Sequence, residues 1–217
     1  MIEGLTDHRS LPRISTALVV KAVLAVYWSR LGSLNALAMT RSVKFWKSWL
    51  DAPLCSADSL GRIIAGMEAG PLRQGIHHVY ERLKRNKALP DLHGLAVAVL
   101  DGHETSASYR RCCAGCLKRT TPSGQTQFYH RNVTLMLLCA SPRDRPAVRL
   151  LLDLEPQQPG EAELAPAVRL LERVLAAYPR AFDVVLADAY YAVAPFLNFL
   201  LQHGKQALVV VCVPTVG

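Results

Sequence analysis

The sequence predicts a mixed α/β (α+β) protein with a helical N-terminal domain over residues 1–92 and a mixed sheet with flanking helices over 93–217. Apolar residues recur at helical spacing in the first part, and short apolar runs typical of strands begin near residue 94. With 51% hydrophobic and 19% charged residues, the composition is that of a folded globular protein.

The N-terminal part is predicted to form helices. Helical spacing of apolar residues, or a helix start signal, is present in four segments: 14–28, 42–50, 56–67 and 71–89. Ser56 has the position of an N-cap, and Pro71 has that of a first-turn proline. In "SVKFWKSWL", Phe45, Trp46 and Trp49 are predicted to share one side of a helix.

The positive charge is concentrated in the helical part. Residues 1–95 hold 13 Lys/Arg against 7 Asp/Glu, net +6, whereas residues 96–217 hold 12 against 10, net +2. Such a basic region suits a polyanion such as DNA, because phosphate neutralisation supplies much of the affinity. The fourth helix ends in a cationic run that is either a DNA-contacting edge or an ordinary solvated helix end: Arg82, Lys84, Arg85 and Lys87.

The sequence favours a cytoplasmic protein without a membrane partner. The start, "MIEGLTDHRSLPR", lacks the apolar run of an export signal. The apolar segment 17–28 is too short to span a bilayer and contains Lys21, so a buried helix is expected. Six cysteines in such a chain are expected to be thiols or metal ligands rather than disulfides.

From residue 94 the pattern predicts three strands that can pair as a meander, then helix, strand, helix and strand. The strands are predicted at 94–101, 125–140, 146–156, 182–191 and 206–213, and the helices at 160–179 and 192–204. Together these elements describe a mixed sheet with helices packed on it.

Two of these strands carry an acid after an apolar run. "LAVAVLD" ends at Asp101, and "DVVLAD" contains Asp188 at the equivalent place. If the two strands are parallel neighbours, both carboxylates lie at the same edge, where a cation such as Mg²⁺ or Mn²⁺ offsets their repulsion. The alternative is that each acid is structural: Asp101 begins an Asp-Gly turn, and Asp188 caps the next helix.

The order of elements resembles the ribonuclease H-like fold, and the local sequences resemble DDE-type insertion-sequence transposases. The resembling stretches cover most of residues 55–204 and include "SADSLGR", "RLKRNKAL", "LDGHETSASYRRCCAGCLKRT", "QFYHRNV", "LLLDLEPQQPGEAELAPAVRLLERVL" and "FDVVLADAYYAVAPFLNFLLQHG". The resemblance implies a helical DNA-binding domain over 1–92 and a partial ribonuclease H-like catalytic domain over 93–217.

The resemblance also implies a function and its site. Asp101 and Asp188 match the first two acids of a catalytic triad that binds Mg²⁺ or Mn²⁺ for phosphodiester cleavage and strand transfer in DNA transposition. The implied partners are transposon-end DNA and a second copy of the chain in the DNA complex. The implied location is the bacterial cytoplasm or nucleoid.

The third acid of such a triad is expected on a helix after the fifth strand. Residues 189–217 contain no Asp or Glu, so the sequence predicts an inactive transposase fragment, truncated before this acid. Glu104 is a candidate substitute, although it is out of step with Asp101 on a strand unless the chain bends near Gly102. Two alternatives remain: a non-catalytic DNA-binding remnant, and a ribonuclease H-like nuclease without strand transfer.

A cysteine cluster follows the first strand. Cys113 and Cys116 have the spacing of half a zinc site, and His130 on the next strand is a candidate third ligand of a structural zinc ion. The alternative is a hairpin with free or buried thiols. The other cysteines lie in apolar stretches and are expected to pack in the core: Cys55, Cys139 and Cys212.

The aromatic pair after Asp188 is open to two interpretations. Tyr190 and Tyr191 can stack on bases or contact a phosphate, or they can pack the start of a helix. For Arg131 and His130 the same choice stands between a contact with DNA and a role in packing.

Overall fold

The computed structural model of the chain describes residues 2–140 and 148–210. The chain divides into two compact units, Met1–Gly75 and Ile76–Gly217. The predicted class is confirmed, because a helical N-terminal region precedes a mixed six-stranded sheet with flanking helices. Among the predicted residues, Cys212 and the end of the last predicted strand lie outside the described part, as do residues 146 and 147 of the third strand.

The first unit is built from short helices. A 3-10 turn at Ile2–Gly4 precedes α1 (Thr16–Trp28), α2 (Leu34–Met39), α3 (Lys44–Leu50) and α4 (Ala57–Ala65), and α5 (Ala69–Arg85) begins here and continues into the second unit. Serine side chains cap three of the helices by accepting a backbone N–H, namely Ser15, Ser33 and Ser56. The predicted N-cap at Ser56 is therefore confirmed.

An apolar cluster holds these helices together. Its fully buried members include Val19, Leu37 and Leu60, and Trp46 is 5% exposed. The three aromatic residues of α3 that were predicted to share one side of a helix are in ring contact, since the Phe45 ring centroid also lies 5.1 Å from that of Trp46. Phe45 and Trp49 are exposed and stack on each other with ring centroids 6.0 Å apart, while only Trp46 enters the core.

The second unit is built on the sheet. Its strands are β1 (Val97–Ser108), β2 (Leu117–Thr120), β3 (Thr126–Leu138), β4 (Arg149–Pro156), β5 (Val184–Ala187) and β6 (Gln206–Val209). The order is β2-β3-β1-β5-β6, and β4 pairs with β3. β2 and β4 follow each other along one edge of β3, because β1 occupies the other edge.

Helices complete the second unit. α6 (Leu164–Ala177) precedes β5, and a 3-10 turn (Ala189–Tyr191) and α7 (Ala194–Gln202) lie between β5 and β6. The core joins alternate residues of the strands, including Leu100 and Val185, to buried residues of the helices such as Leu170 and Phe196. This alternation puts Asp101 on the sheet face opposite to the core face of Leu100.

The predicted parallel pairing of the two acid-bearing strands is confirmed. β1 and β5 are parallel, with Val97 opposite Val184 and Val99 opposite Leu186. β1 and β3 are antiparallel, as the meander requires, and β6 is parallel to β5.

The prediction that the first strand ends at Asp101 is wrong. β1 continues to Ser108 because β3 provides antiparallel partners along this whole length, from Val97 opposite Leu138 to Ser108 opposite Phe128. Gly102 pairs with Val133 inside this ladder, which excludes the Asp-Gly turn. What ends near Asp101 is only the parallel pairing with β5.

Candidate functional site

The candidate site lies where β5 ends beside β1. Continuing the β1–β5 register by two residues beyond Val99 and Leu186 places Asp101 opposite Asp188. Neighbouring strands are about 4.8 Å apart, and residues at the same register of a parallel pair project from the same face. Both aspartates are exposed. The parallel pairing of β1 and β5 thus leads to two aspartates that are 87 residues apart in the sequence.

The two aspartates have different local roles. Within residues 2–140 and 148–210, the Asp101 carboxylate has no hydrogen-bond or ion-pair partner, although its backbone carbonyl accepts a bond from Thr134 Oγ1 at 3.3 Å. The Asp188 Oδ1 atom accepts the Tyr190 N–H at 3.0 Å and so caps the 3-10 turn. The capping alternative is therefore correct for Asp188, but it occupies only one of the two carboxylate oxygens.

A third carboxylate, which sequence reasoning missed, lies on the other face of β1. Glu163 precedes α6, and its side chain is 6% exposed. The Tyr191 hydroxyl donates to Glu163 Oε1 at 2.6 Å, and Arg131 Nη2 is 2.5 Å from Glu163 Oε2. Glu163 also lies against Gly102, where any Cβ atom would overlap its carboxylate.

Glu163 thereby connects the two aspartate-bearing segments. Two of its contacts are Gly102, which follows Asp101, and Tyr191, the third residue after Asp188. Burial, and then the hydrogen bond to the Glu163 carboxylate, raise the pKa of Tyr191 above its ordinary value, so this tyrosine remains a donor. Two features of the sequence could have indicated this contact. Glu163 is an acid directly before the amphipathic helix, and Gly102, which follows Asp101, leaves space for a side chain beside the strand.

Ion pairs hold α6, which begins directly after Glu163. Arg169 Nη1 lies 2.6 Å from Glu161 Oε1, and Arg173 Nε lies 2.5 Å from Asp153 Oδ2 on β4. The neighbouring guanidinium of Arg169 holds the pKa of Glu161 below its usual range. The Arg173 contact ties α6 to β4, and the Arg169 contact ties α6 to the segment that contains Glu163.

Several other predicted residues are placed by the structure. Tyr191 is fully buried, as the packing alternative expects, whereas Tyr190 is 49% exposed. Arg131 is bound to Glu163. Glu104 is paired in a bidentate manner with Arg119, at 2.5 and 3.1 Å, and a register shift separates it from Ser106.

The cationic run lies at the end of α5, in the second compact unit. Arg82, Lys84 and Arg85 form the last turn, and Lys87 follows with a positive φ of 52°. All four side chains are exposed. The Lys84 Nζ atom lies 5.4 Å from the centre of the Tyr80 ring.

The cysteine cluster is also assembled. The ligand atoms of Cys113, Cys116 and His130 lie within 4.8 Å of one another. Among the other cysteines, Cys139 is buried in the core and Cys55 packs beside the core of the first unit, as predicted.

The sequence matches no protein-family model, and it matches none of the curated proteins. In the described ranges, no helix has the length and apolar character needed to cross a membrane.

Proposed function

We propose that this chain is a transposase-like DNA-binding protein in which Asp101 and Asp188 bind a divalent metal ion, as in proteins that cleave and transfer DNA strands, but which is inactive because the third acid of that site is absent from residues 189–217. The observation that supports the proposal is the parallel pairing of β1 and β5, because its register, continued two residues beyond Val99 and Leu186, leads to Asp101 and Asp188. The strand order, with four antiparallel strands (β1 to β4) followed along the chain by two parallel ones (β5 and β6), supports the resemblance that suggested this function.

The two carboxylates fit a hard cation. Both are exposed, and in the part of the chain that the structure describes neither forms an ion pair with Lys or Arg. Two like charges on neighbouring strands repel each other, and Mg²⁺ or Mn²⁺ removes this cost while accepting carboxylate oxygens as ligands. When bound, such an ion supplies Lewis-acid stabilisation of charge on the phosphodiester oxygens.

The residues of the chain have separate tasks in this proposal. Asp101 and Asp188 hold the metal ion, and the Tyr190 N–H orients the Asp188 carboxylate. Glu163 keeps the segments after both aspartates at a constant separation through Gly102 and Tyr191. The exposed cations at the end of α5 contribute phosphate contacts.

The metal site is tested by Mn²⁺ titration, with free Mn²⁺ followed by electron paramagnetic resonance. We expect Asp101→Asn and Asp188→Asn each to weaken Mn²⁺ binding roughly tenfold or more, since each removes one of two charged ligands. Glu172→Gln, which changes an exposed acid on α6, is the matched control and should bind like the wild type. Equal affinity in all four proteins would exclude the site.

The DNA reaction requires a second experiment, on DNA that carries the ends of the mobile element. Residues 189–217 contain no acid, and a misplaced nucleophile costs on the order of 10²-fold or more in rate. We therefore expect the 217-residue chain to bind DNA without cutting or joining it in Mg²⁺ or Mn²⁺. Cleavage that Asp101→Ala abolishes would contradict this expectation and indicate a third carboxylate from Glu104 or a partner chain. Absence of DNA binding would refute the proposed function.

A further inference from the structure

The turn between β1 and β2 brings two cysteine sulfurs into one cluster with an imidazole nitrogen from β3. The Sγ atoms of Cys113 and Cys116 are 3.7 Å apart, and His130 Nε2 lies 3.4 Å from the first sulfur and 3.3 Å from the second. This cluster is on a different part of the sheet from the aspartates, near the end of β1 where Ser106 pairs with His130. Its chemistry is independent of the proposed DNA reaction.

These distances match the edges of a metal coordination tetrahedron. With Zn–S bonds of about 2.3 Å and Zn–N bonds of about 2.0–2.1 Å, tetrahedral angles place two sulfurs about 3.8 Å apart and each sulfur about 3.5 Å from the nitrogen. The observed separations agree within about 0.2 Å. At 3.7 Å the two sulfurs are also much farther apart than the roughly 2.05 Å of a disulfide.

The local backbone builds this geometry. The N–H of Cys116 donates to the carbonyl of Cys113 at 3.1 Å, and the N–H of Cys113 donates to Cys116 Sγ at 3.2 Å, which closes a tight turn. Cys116 directly precedes β2, whose first residue Leu117 pairs with Tyr129. Continuing this antiparallel register by one residue sets Cys116 opposite His130.

The cluster is open on one side. Cys116 is buried and His130 is half-buried, but Cys113 is exposed, and all three line a surface cavity of about 550 Å³. Cys112 and Arg111 line the same cavity, although Cys112 does not belong to the close group of ligand atoms. A metal ion here would have three protein ligands and a fourth position that faces the cavity.

We propose that Cys113, Cys116 and His130 form a zinc site that fastens the turn after β1 to β3. Two thiolates and one imidazole favour a borderline-soft cation such as Zn²⁺ over Mg²⁺ or Ca²⁺. Two thiolates balance the charge of Zn²⁺, so the site adds no net charge to its surroundings. The metal holds residues 109–116 against the long β1–β3 ladder.

The metal content of the full chain tests the proposal. Protein purified with a reductant and without chelator should contain about one zinc ion per chain, measured by inductively coupled plasma mass spectrometry. Replacement of zinc by Co²⁺ should give the thiolate-to-cobalt charge-transfer absorption that cysteine ligands produce. Zinc-free protein with a Cys113–Cys116 disulfide, or a cobalt spectrum without thiolate absorption, would overturn the proposal.

Substitutions identify the ligands. Cys113→Ser and His130→Ala should weaken zinc binding by roughly 10- to 100-fold or more in a chelator competition, since losing a direct ligand costs at least as much as losing an outer partner. Cys55→Ser is the matched control, because Cys55 lies in the other unit, and it should retain zinc. Cys112→Ser should also retain zinc, and its loss there would overturn the three-ligand assignment.

A stability measurement covers the case of a variant that folds poorly. Chelator treatment should lower the melting temperature of the wild type and of Cys55→Ser, because metal bound only to the folded state stabilises it. The same treatment should leave the melting temperature of Cys113→Ser unchanged. An equal decrease in all three proteins would show that the chelator acts elsewhere and would contradict the site.

Discussion

The contact between Gly102 and Glu163 makes a sharp prediction about the stability of the second unit. A Cβ atom at residue 102 would overlap Oε1 and Cδ of Glu163, so Gly102→Ala must displace this buried carboxylate. The displacement breaks the 2.6 Å bond from the Tyr191 hydroxyl and the 2.5 Å contact with Arg131.

The magnitude follows from those two interactions. A hydrogen bond to a charged group contributes about 1.5–3 kcal/mol, and leaving its buried partner unpaired costs a similar amount. Arg131 is 36% exposed, so its ion pair adds at most about 1 kcal/mol after solvent screening. We therefore expect Gly102→Ala to lower the free energy of unfolding by about 2–4 kcal/mol.

A double-mutant cycle with Glu163→Ala isolates the cause. In the Glu163→Ala background the carboxylate is gone, and alanine in a strand is favoured over glycine by roughly 0.5–1 kcal/mol. In that background Gly102→Ala should not lower the free energy of unfolding. The coupling energy between the two positions is then at least about 2 kcal/mol, well above the roughly 0.5 kcal/mol by which independent sites deviate from additivity. Urea unfolding followed by circular dichroism measures each corner of the cycle.

A glycine in open surroundings provides the control for Gly102→Ala. Gly70 lies in α5, where a Cβ atom meets nothing within 4 Å among the described residues, so Gly70→Ala should not destabilise the protein. If Gly102→Ala costs the same with and without Glu163, the carboxylate does not fill the space beside Gly102. The positioning role of Glu163 would then be wrong.

Two further predictions concern DNA affinity and alkaline stability. The first replaces the four exposed cations at the end of α5 with alanine, namely Arg82, Lys84, Arg85 and Lys87. The slope of log K for DNA binding against log [salt], measured by fluorescence anisotropy, should decrease in magnitude by up to about 3–4 units, because each phosphate contact contributes about 0.9. An unchanged slope would assign these residues to solvated surface. Burial raises the pKa of Tyr178 from 10.0 to about 12, so the folded state keeps a proton that the unfolded state loses in this range. The protonated Tyr178 side chain thus contributes roughly 2–3 kcal/mol to the free energy of unfolding. This contribution is complete below pH 10 and is lost as the pH rises towards 12. Tyr178→Phe should flatten this part of the stability–pH curve, and Tyr109→Phe, at an exposed tyrosine, should not; identical curves for both variants would contradict the assignment.

Local patterns in the sequence were sufficient for the class of fold and most elements. Helical spacing and Ser56 located α4, and apolar runs located β1, β3 and β5, because these signals depend on residues a few positions apart. The short elements α2 and β2 carry weak local signals, and they were missed. The parallel neighbours β1 and β5 followed from the order of elements, and this prediction is confirmed.

Only the tertiary structure decided where β1 ends and what surrounds the aspartates. β1 passes Asp101 because β3, about thirty residues further along, supplies ladder partners up to Ser108. Glu163 meets Gly102 and Tyr191 only after α6 packs on the sheet, and His130 meets Cys113 and Cys116 only after β2 pairs with β3. Residue type and spacing determine which chemical groups the chain carries and which segments become strands or helices. Contacts between residues far apart in sequence decide which of those groups meet, since they depend on packing that no local pattern encodes.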